Sequence, residues 1–167
     1  DKQSFFHIAP MAEISWNYLP LHNSYWRADK KVRAPSNQQL YQSSSDINPS
    51  SLREIASYTI EWGFQGSISS FNYLLASYAQ RNHGLIIETA NSQQFQNQKS
   101  LRLGAQIKLD WQLHRDWRLS LNSDIANERY DSSPQGQNLE DKRVAFAPIQ
   151  THQVQLHWQA TSNSQLQ

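Results

Sequence analysis

The stretch from Leu101 to Leu113 alternates strictly between apolar and polar or glycine residues. A period of two over thirteen residues predicts a β-strand, because a helix would scatter the apolar side chains around its axis. Soluble strands usually run about 5 to 6 residues, whereas a tilted strand needs roughly 9 to 11 residues to cross a bilayer. The run is therefore long enough to span a membrane. Its apolar residues are Leu101, Leu103, Ala105, Ile107, Leu109, Trp111 and Leu113.

The same alternation resumes after a short polar break at residues 114–116, which predicts a hairpin with one shared apolar face. Trp111 and Trp117 flank this break, and aromatic girdles of outer-membrane barrels lie at such positions. Two core tryptophans of a soluble sandwich would give the same pattern. The opposite face carries Arg, Lys and Asp side chains in a row, which favours a strand between lipid and a hydrated lumen.

Composition sets further bounds on the 167-residue chain. Its length predicts one domain, and its 6 Trp, 7 Tyr and 6 Phe argue against disorder. No cysteine is present, which excludes disulfides and thiolate metal sites. No apolar stretch reaches 18 residues, so no helical membrane span is predicted, and the opening residues lack the pattern of a signal peptide.

Seven runs read as strands, and short turns alternate with long polar connections. In outer-membrane barrels, short periplasmic turns alternate with long extracellular loops. We therefore expect an all-β fold, an antiparallel transmembrane β-barrel segment of about seven meandering strands. The predicted strands are Phe5–Tyr18, Ser24–Val32, Glu54–Phe64, Ile68–Gln80, Leu101–Leu113, Trp117–Ile125 and Ile149–Thr161, and the predicted long connections are Pro35–Leu52, Arg81–Lys99 and Arg129–Ala147.

Several motifs, in order, resemble the barrel of TonB-dependent outer-membrane receptors, whose pattern contains an "FRAP" strand end, an "NP.L.pE" entry and an "E.G" strand. The matching residues are Val32-Arg33-Ala34-Pro35, Gln39-Leu40-Tyr41, Asn48 to Glu54, Tyr58 to Gly63, Phe71 to Gln80, Leu103 to Leu109 and Ala147 to Trp158. Such transporters have about 22 strands and a plugged lumen. The resemblance implies that residues 1–167 are a partial barrel domain that lacks the plug domain and the remaining strands.

The resemblance also implies a function and a location. Members of the family take up scarce, bulky solutes through the outer membrane of Gram-negative bacteria, most often a ferric siderophore and sometimes haem or cobalamin. The implied partners are outer-membrane lipid, an iron-chelate ligand, and the TonB energy-coupling complex acting through the missing plug. No cofactor is implied.

Extracellular loops would supply the ligand contacts in such a receptor. Arginine and aromatic side chains suit an anionic, partly aromatic iron chelate. Haem receptors of this family tend to carry a histidine between the RAP and NP motifs. The resemblance therefore disfavours haem, because residues 36–47 contain no histidine, although His83 could contribute from another loop. No metal-ligand spacing is present. The candidate ligand-binding residues are Tyr41, Arg81, His83, Arg129 and Tyr130.

Carboxylates and cations share the polar faces of the predicted strands, and we interpret them as a charge network of the lumen rather than as enzymatic machinery. No motif of a hydrolase, nucleotide-binding loop or metalloprotease occurs, and a net charge of +1 without a basic stripe does not support nucleic-acid binding. The network residues are Glu61, Asp110, Asp124 and Glu128, with Arg102, Lys108 and Arg118 as partners.

Two other functions fit parts of the pattern. A soluble β-sandwich or small barrel that binds carbohydrate would explain the abundance of Trp, Tyr and Asn, and its apolar faces would meet in a core. A small outer-membrane barrel acting as a passive pore would need an even number of strands and a closing aromatic end. Neither feature is seen in the sequence.

Overall fold

Seven antiparallel strands form a single sheet in the computed structural model, which describes residues 8–34, 54–88, 95–131, 139–145 and 147–159. Each strand pairs with its neighbour in sequence, so the order in the sheet is β1-β2-β3-β4-β5-β6-β7. This confirms the predicted all-β class and strand count. The strands are β1 (Met11–Leu19), β2 (His22–Arg33), β3 (Ile55–Ile68), β4 (Phe71–Glu88), β5 (Phe95–His114), β6 (Trp117–Tyr130) and β7 (Gln150–Trp158).

The register gives the sheet one apolar face and one polar face, because directly paired residues point to the same side and alternate residues point to opposite sides. On the apolar face Trp26 stacks on Trp62, with ring centroids 5.7 Å apart, and Trp117 stacks on Trp158 at 5.9 Å. All six tryptophans lie on this face: Trp16, Trp26, Trp62, Trp111, Trp117 and Trp158.

The apolar face has no covering layer among the described residues. Ile60 is 59% exposed, Leu103 53% and Leu156 57%, although each lies in the interior of a strand. The buried side chains lie mostly on the other face and include the polar residues Glu61 and Asn82. The described strands thus form a single layer whose apolar face is exposed. No helix in the described part of the chain is long and apolar enough to cross a membrane.

Three two-residue turns join β1 to β2, β3 to β4 and β5 to β6. All three lie at the same end of the strands, which we call the short-turn end. Leu21 and Ser69 adopt positive φ angles of 61° and 54° in two of these turns. Aromatic rings gather on the apolar face just above them: the Tyr73 hydroxyl lies 2.8 Å from His22 Nδ1 and 3.3 Å from the Tyr18 hydroxyl.

Two of the predicted long connections are shorter in the structure than the sequence suggested. The prediction of a connection over Arg81–Lys99 is wrong in its extent, because β4 continues to Glu88 and β5 begins at Phe95. A bulge at Gly84, with a φ of 77°, shifts the register between His83 and Leu85 and lets the hairpin continue. The prediction that Arg129 begins a connection is also wrong, because β6 extends to Tyr130.

The segment that precedes β7 follows the upper part of β6. The Tyr130 amide donates to the Lys142 carbonyl at 2.9 Å, and the Val144 amide donates to the Glu128 carbonyl at 3.0 Å. Arg129 and Arg143 form an antiparallel bridge. These contacts continue the pairing of β6 past Gln150, the first residue of β7. We call this end of the strands, opposite the short turns, the long-connection end.

Candidate functional site

The first polar cluster of the sheet consists of Tyr25, Arg27, Glu61 and Gly63 and is called the Glu61 cluster. Glu61 is 8% exposed, and its carboxylate accepts a hydrogen bond from the Tyr25 hydroxyl at 2.7 Å and from the Arg27 guanidinium at 2.5 Å. Arg27 also lies over the Tyr25 ring, 5.7 Å from its centroid. Gly63 is the cross-strand partner of Tyr25, and its missing side chain leaves room for the ring.

The second polar cluster consists of Tyr78, Arg102, Gly104 and Asp124 and is called the Asp124 cluster. The Asp124 carboxylate accepts from the Tyr78 hydroxyl at 2.8 Å and from the Arg102 guanidinium at 2.6 Å. Arg102 Nε donates to the Tyr78 hydroxyl at 3.0 Å, and the guanidinium lies 5.9 Å from the centre of the Tyr78 ring. Gly104 is the cross-strand partner of Tyr78.

The two clusters therefore repeat one arrangement of four residue types. A tyrosine ring lies flat across a glycine of the next strand, and its hydroxyl joins an arginine on a carboxylate. Glu61 is itself the cross-strand partner of Tyr78, so the clusters are adjacent on the polar face. Because the charged groups are paired and held in place, the face presents a polar wall whose charges are fixed in position.

A third group of polar residues continues this wall toward the long-connection end. Glu128 accepts hydrogen bonds from Ser100 Oγ at 2.6 Å and from Asn82 Nδ2 at 2.9 Å, while Arg102 Nη1 lies 3.9 Å from its other oxygen. Ser100 is fully buried, and Asn82 is 5% exposed. Buried polar groups of this kind are stable only when they are hydrogen-bonded, and these are.

The predicted charge network is confirmed in part. Arg102 pairs with Asp124 and Glu128, as expected. Glu61 instead pairs with Arg27, which the sequence analysis did not single out. The remaining residues of the predicted network do not pair with one another. Asp110 accepts a hydrogen bond from Ser120 at 2.5 Å, and Arg118 donates to Gln112 at 3.3 Å. Lys108 forms no ion pair within the described part of the chain.

Of the five predicted ligand-binding residues, Tyr41 lies outside the described residues. The other four were expected in loops, and this placement is wrong, because Arg81 and His83 lie on β4 and Arg129 and Tyr130 on β6. Arg81, His83 and Arg129 share the apolar face, whereas Tyr130 is buried on the polar face beside Ser100. The structure therefore does not bring the four into one pocket.

Arg81 forms an exposed ion pair with Asp131, which directly follows β6. The hydrogen bond from the Arg81 guanidinium holds the pKa of the Asp131 carboxyl below its usual value. A lowered pKa in the folded state contributes stability above the unfolded pKa, near 3.8, and this contribution is lost as the pH falls through the lowered value.

We therefore expect Asp131→Asn to lower the thermal unfolding midpoint slightly at pH 7 and to leave it unchanged once the carboxylate is fully protonated. Thermal scans of both proteins from pH 7 down to pH 2 measure this. Glu13→Gln on β1 serves as the charge-matched control, because Glu13 forms no ion pair with another described residue. A difference between parent and variant that stays constant over this range would contradict the assignment.

The described residues hold no group of three or more His, Cys, Asp or Glu side chains that could bind a metal ion. What the arrangement offers instead is a long polar surface backed by an apolar one, with its cations and carboxylates largely paired.

The fold is shared with a solved structure described as the copper transporter OprC, at a TM-score of 0.57 and 14% sequence identity. The match covers 73% of this chain and 20% of the transporter, so the chain spans about a fifth of that protein's length. No family model matches the sequence, and no curated protein matches it. The structural likeness confirms the predicted fold class, an all-β antiparallel segment of a larger barrel.

Proposed function

We propose that this chain forms part of the wall of an outer-membrane transporter, with its apolar face against lipid and its polar face toward a water-filled lumen. The observation that carries the proposal is the contrast between the two faces. The polar face buries hydrogen-bonded charges, whereas the apolar face exposes large aliphatic and aromatic side chains from every strand. A carbohydrate-binding sandwich would cover such a face with a second sheet.

The orientation in the membrane follows from the two ends of the sheet. Tyrosine and tryptophan rings line the apolar face at the short-turn end, as in the aromatic girdle of a membrane interface. Short turns face the periplasm in outer-membrane barrels, and longer connections face outward. The hairpin of β4 and β5 has 18 and 20 residues per strand, more than a bilayer needs, so it extends beyond the outer surface.

Closure requires more strands than the seven of this sheet. Among the described strands, β1 and β7 each pair on one side only, and unpaired backbone groups are not tolerated in lipid. The resemblance to TonB-dependent receptors and the 20% coverage of a larger transporter both support a partial barrel. On this basis, the complete protein carries a plug and is coupled to the TonB complex.

The substrate we propose is a scarce, bulky iron chelate of the ferric siderophore class. Of the five predicted contacts, we propose Tyr41 and Tyr130, which suit an aromatic chelate. Arg81, His83 and Arg129 lie on the apolar face, which this arrangement turns toward lipid, so we do not propose them as chelate contacts. Uptake of radiolabelled ferric siderophores by cells that produce the full-length protein tests this proposal. We expect uptake to stop when a protonophore collapses the proton gradient; uptake that persists would favour a passive pore.

The membrane arrangement is tested by paired cysteine substitutions in the full-length protein, from which any native cysteine outside these 167 residues is first removed; the 167 residues contain none. Ile107→Cys and Gln106→Cys change neighbours on β5 that point to opposite faces. In the full-length protein in vesicles, a bimane probe attached at position 107 is expected to be quenched by lipids brominated on their acyl chains, and a probe attached at position 106 is not.

Labelling of the same two cysteines with a water-soluble reagent tests which face is in contact with water. A water-soluble maleimide is expected to label the thiol introduced at position 106 and to leave the thiol at position 107 unreacted. Equal quenching and equal labelling at both positions would contradict the proposal. A protein that fractionates with the soluble periplasm and never meets the brominated lipids would favour the carbohydrate-binding sandwich.

A further inference from the structure

Cations replace apolar residues where the apolar face reaches the long-connection end. The register aligns one cross-strand row of residues from β2 through β6 to residues 139–145, which lie beside β6. The next row toward the short-turn end contains no charged residue. We call the first of these the cationic row; it consists of Lys30, Tyr58, Arg81, Leu101, Arg129 and Arg143. The neighbouring row consists of Ala28, Ile60, Ala79, Leu103 and Asn127.

The cations of this row differ in how they are satisfied. Lys30 lies over the Tyr58 ring, 5.6 Å from its centroid, and Arg81 is paired with Asp131. Arg129 and Arg143 are exposed, and among the described residues their guanidinium groups donate only to the main-chain carbonyls of Asp141 and Ala147, at 3.4 and 3.1 Å. Within the ranges that the structure describes, neither forms an ion pair with a carboxylate.

The pairing of Arg129 with Arg143 is unfavourable unless an anion is bound. Like charges directly opposite each other on neighbouring strands are destabilising. An arginine has five N–H donors, and the carbonyl contacts leave most of them free to bind an oxyanion. The exposed Lys99, one row farther out on β5, adds another positive charge on the same face.

We propose that the cationic row binds the phosphate groups of anionic lipid headgroups in the outward-facing leaflet; this inference rests on the proposed function. The row begins where the apolar surface ends, which is the depth of the headgroups. Arg81 on β4 and Arg129 on β6 lie two strands apart, a distance of roughly 10 Å, so both side chains can contact one phosphate placed between them. Leu101 and Leu103 continue the apolar surface directly to the row, which favours a lipid over free phosphate as the ligand.

The test uses the full-length protein in a neutral detergent and native mass spectrometry to count bound lipids. Phosphatidic acid is the anionic probe, and phosphatidylcholine is its neutral comparison. A basic side chain near an anionic surface contributes about fivefold to binding, so Arg129→Gln or Arg143→Gln should weaken phosphatidic acid binding about fivefold, and the double variant about thirtyfold. Raising the salt concentration should weaken binding by the parent protein.

Two control variants separate charge position from charge number. Arg118→Gln removes the same charge from the polar face and is expected to keep parental binding. Arg129→Lys with Arg143→Lys keeps both charges and is expected to bind much better than the glutamine pair. Inorganic phosphate is expected to compete only weakly.

Three outcomes would overturn the inference: parental affinity in the double glutamine variant, an equal loss in Arg118→Gln, or competition by inorganic phosphate at the concentration at which phosphatidic acid binds. Folding of every variant is checked by the shift in electrophoretic mobility between unboiled and boiled samples. Failure of the proposed function would appear in the labelling of positions 106 and 107, which does not depend on the cationic row.

Discussion

Replacing Ile107 with arginine is expected to lower the free energy of unfolding by about 2–4 kcal/mol, because in the proposed arrangement Ile107 lies near the bilayer midplane on the lipid face, where a cation costs that much. Ile107 is the central residue of the alternating run and lies between Leu75 and Ser123 on the apolar face. Its side chain contacts no covering layer in the described part of the protein. The added charge would therefore have to stay in hydrocarbon or distort the strand.

Gln106→Arg is the matched control, since it introduces the same side chain one residue away on the polar face. We expect it to cost less than about 0.5 kcal/mol, because Gln106 lies half-buried on the polar face opposite Asp124, whose carboxylate can pair with the added cation. Denaturant titration of the full-length protein refolded into vesicles measures both variants. Equal costs at positions 106 and 107 would show that the two faces do not differ in environment.

The strands were predictable wherever one face is continuously apolar. The run from Leu101 to Leu113 and the run after Trp117 needed no information beyond a period of two, because apolar and polar side chains alternate along both. The continuation of β4 beyond Gln80 was not predictable in this way, because Arg81 and His83 place polar groups on the apolar face. Backbone hydrogen bonds continue through them, but the pattern on which the prediction relied stops there.

The polar clusters show a similar limit. The pairing of Arg102 with Glu128 could be expected from opposite charges at facing positions, whereas Asp124 lies four residues away on β6, opposite Gln106. The glycine beneath each tyrosine ring could not, because a glycine in a strand is predicted to be a weakness until the register shows which side chain it faces. Register is a long-range property of β3 and β5, and alternation alone does not fix it to a single residue.

The second large effect concerns one of these glycines. Gly104→Ala is expected to cost about 1–3 kcal/mol, because the new Cβ would lie 2.4 Å from Cζ of the Tyr78 ring. The ring must then move, and its hydroxyl loses the bonds to Asp124 and Arg102. Gly63→Ala is expected to do the same to Tyr25 and Glu61, for the same reason.

A double-mutant cycle shows whether the tyrosine ring causes this cost. In a Tyr78→Leu background the ring and its hydroxyl are absent, so Gly104→Ala is expected to be nearly neutral, and the coupling energy should account for most of the single-variant loss. Tyr78→Phe keeps the ring and removes only the hydroxyl, so it separates packing over the glycine from the hydrogen bonds. If Gly104→Ala costs the same in the parent protein and in the Tyr78→Leu background, the glycine acts through the strand backbone. The repeated arrangement of tyrosine, glycine, carboxylate and arginine is then not a coupled unit.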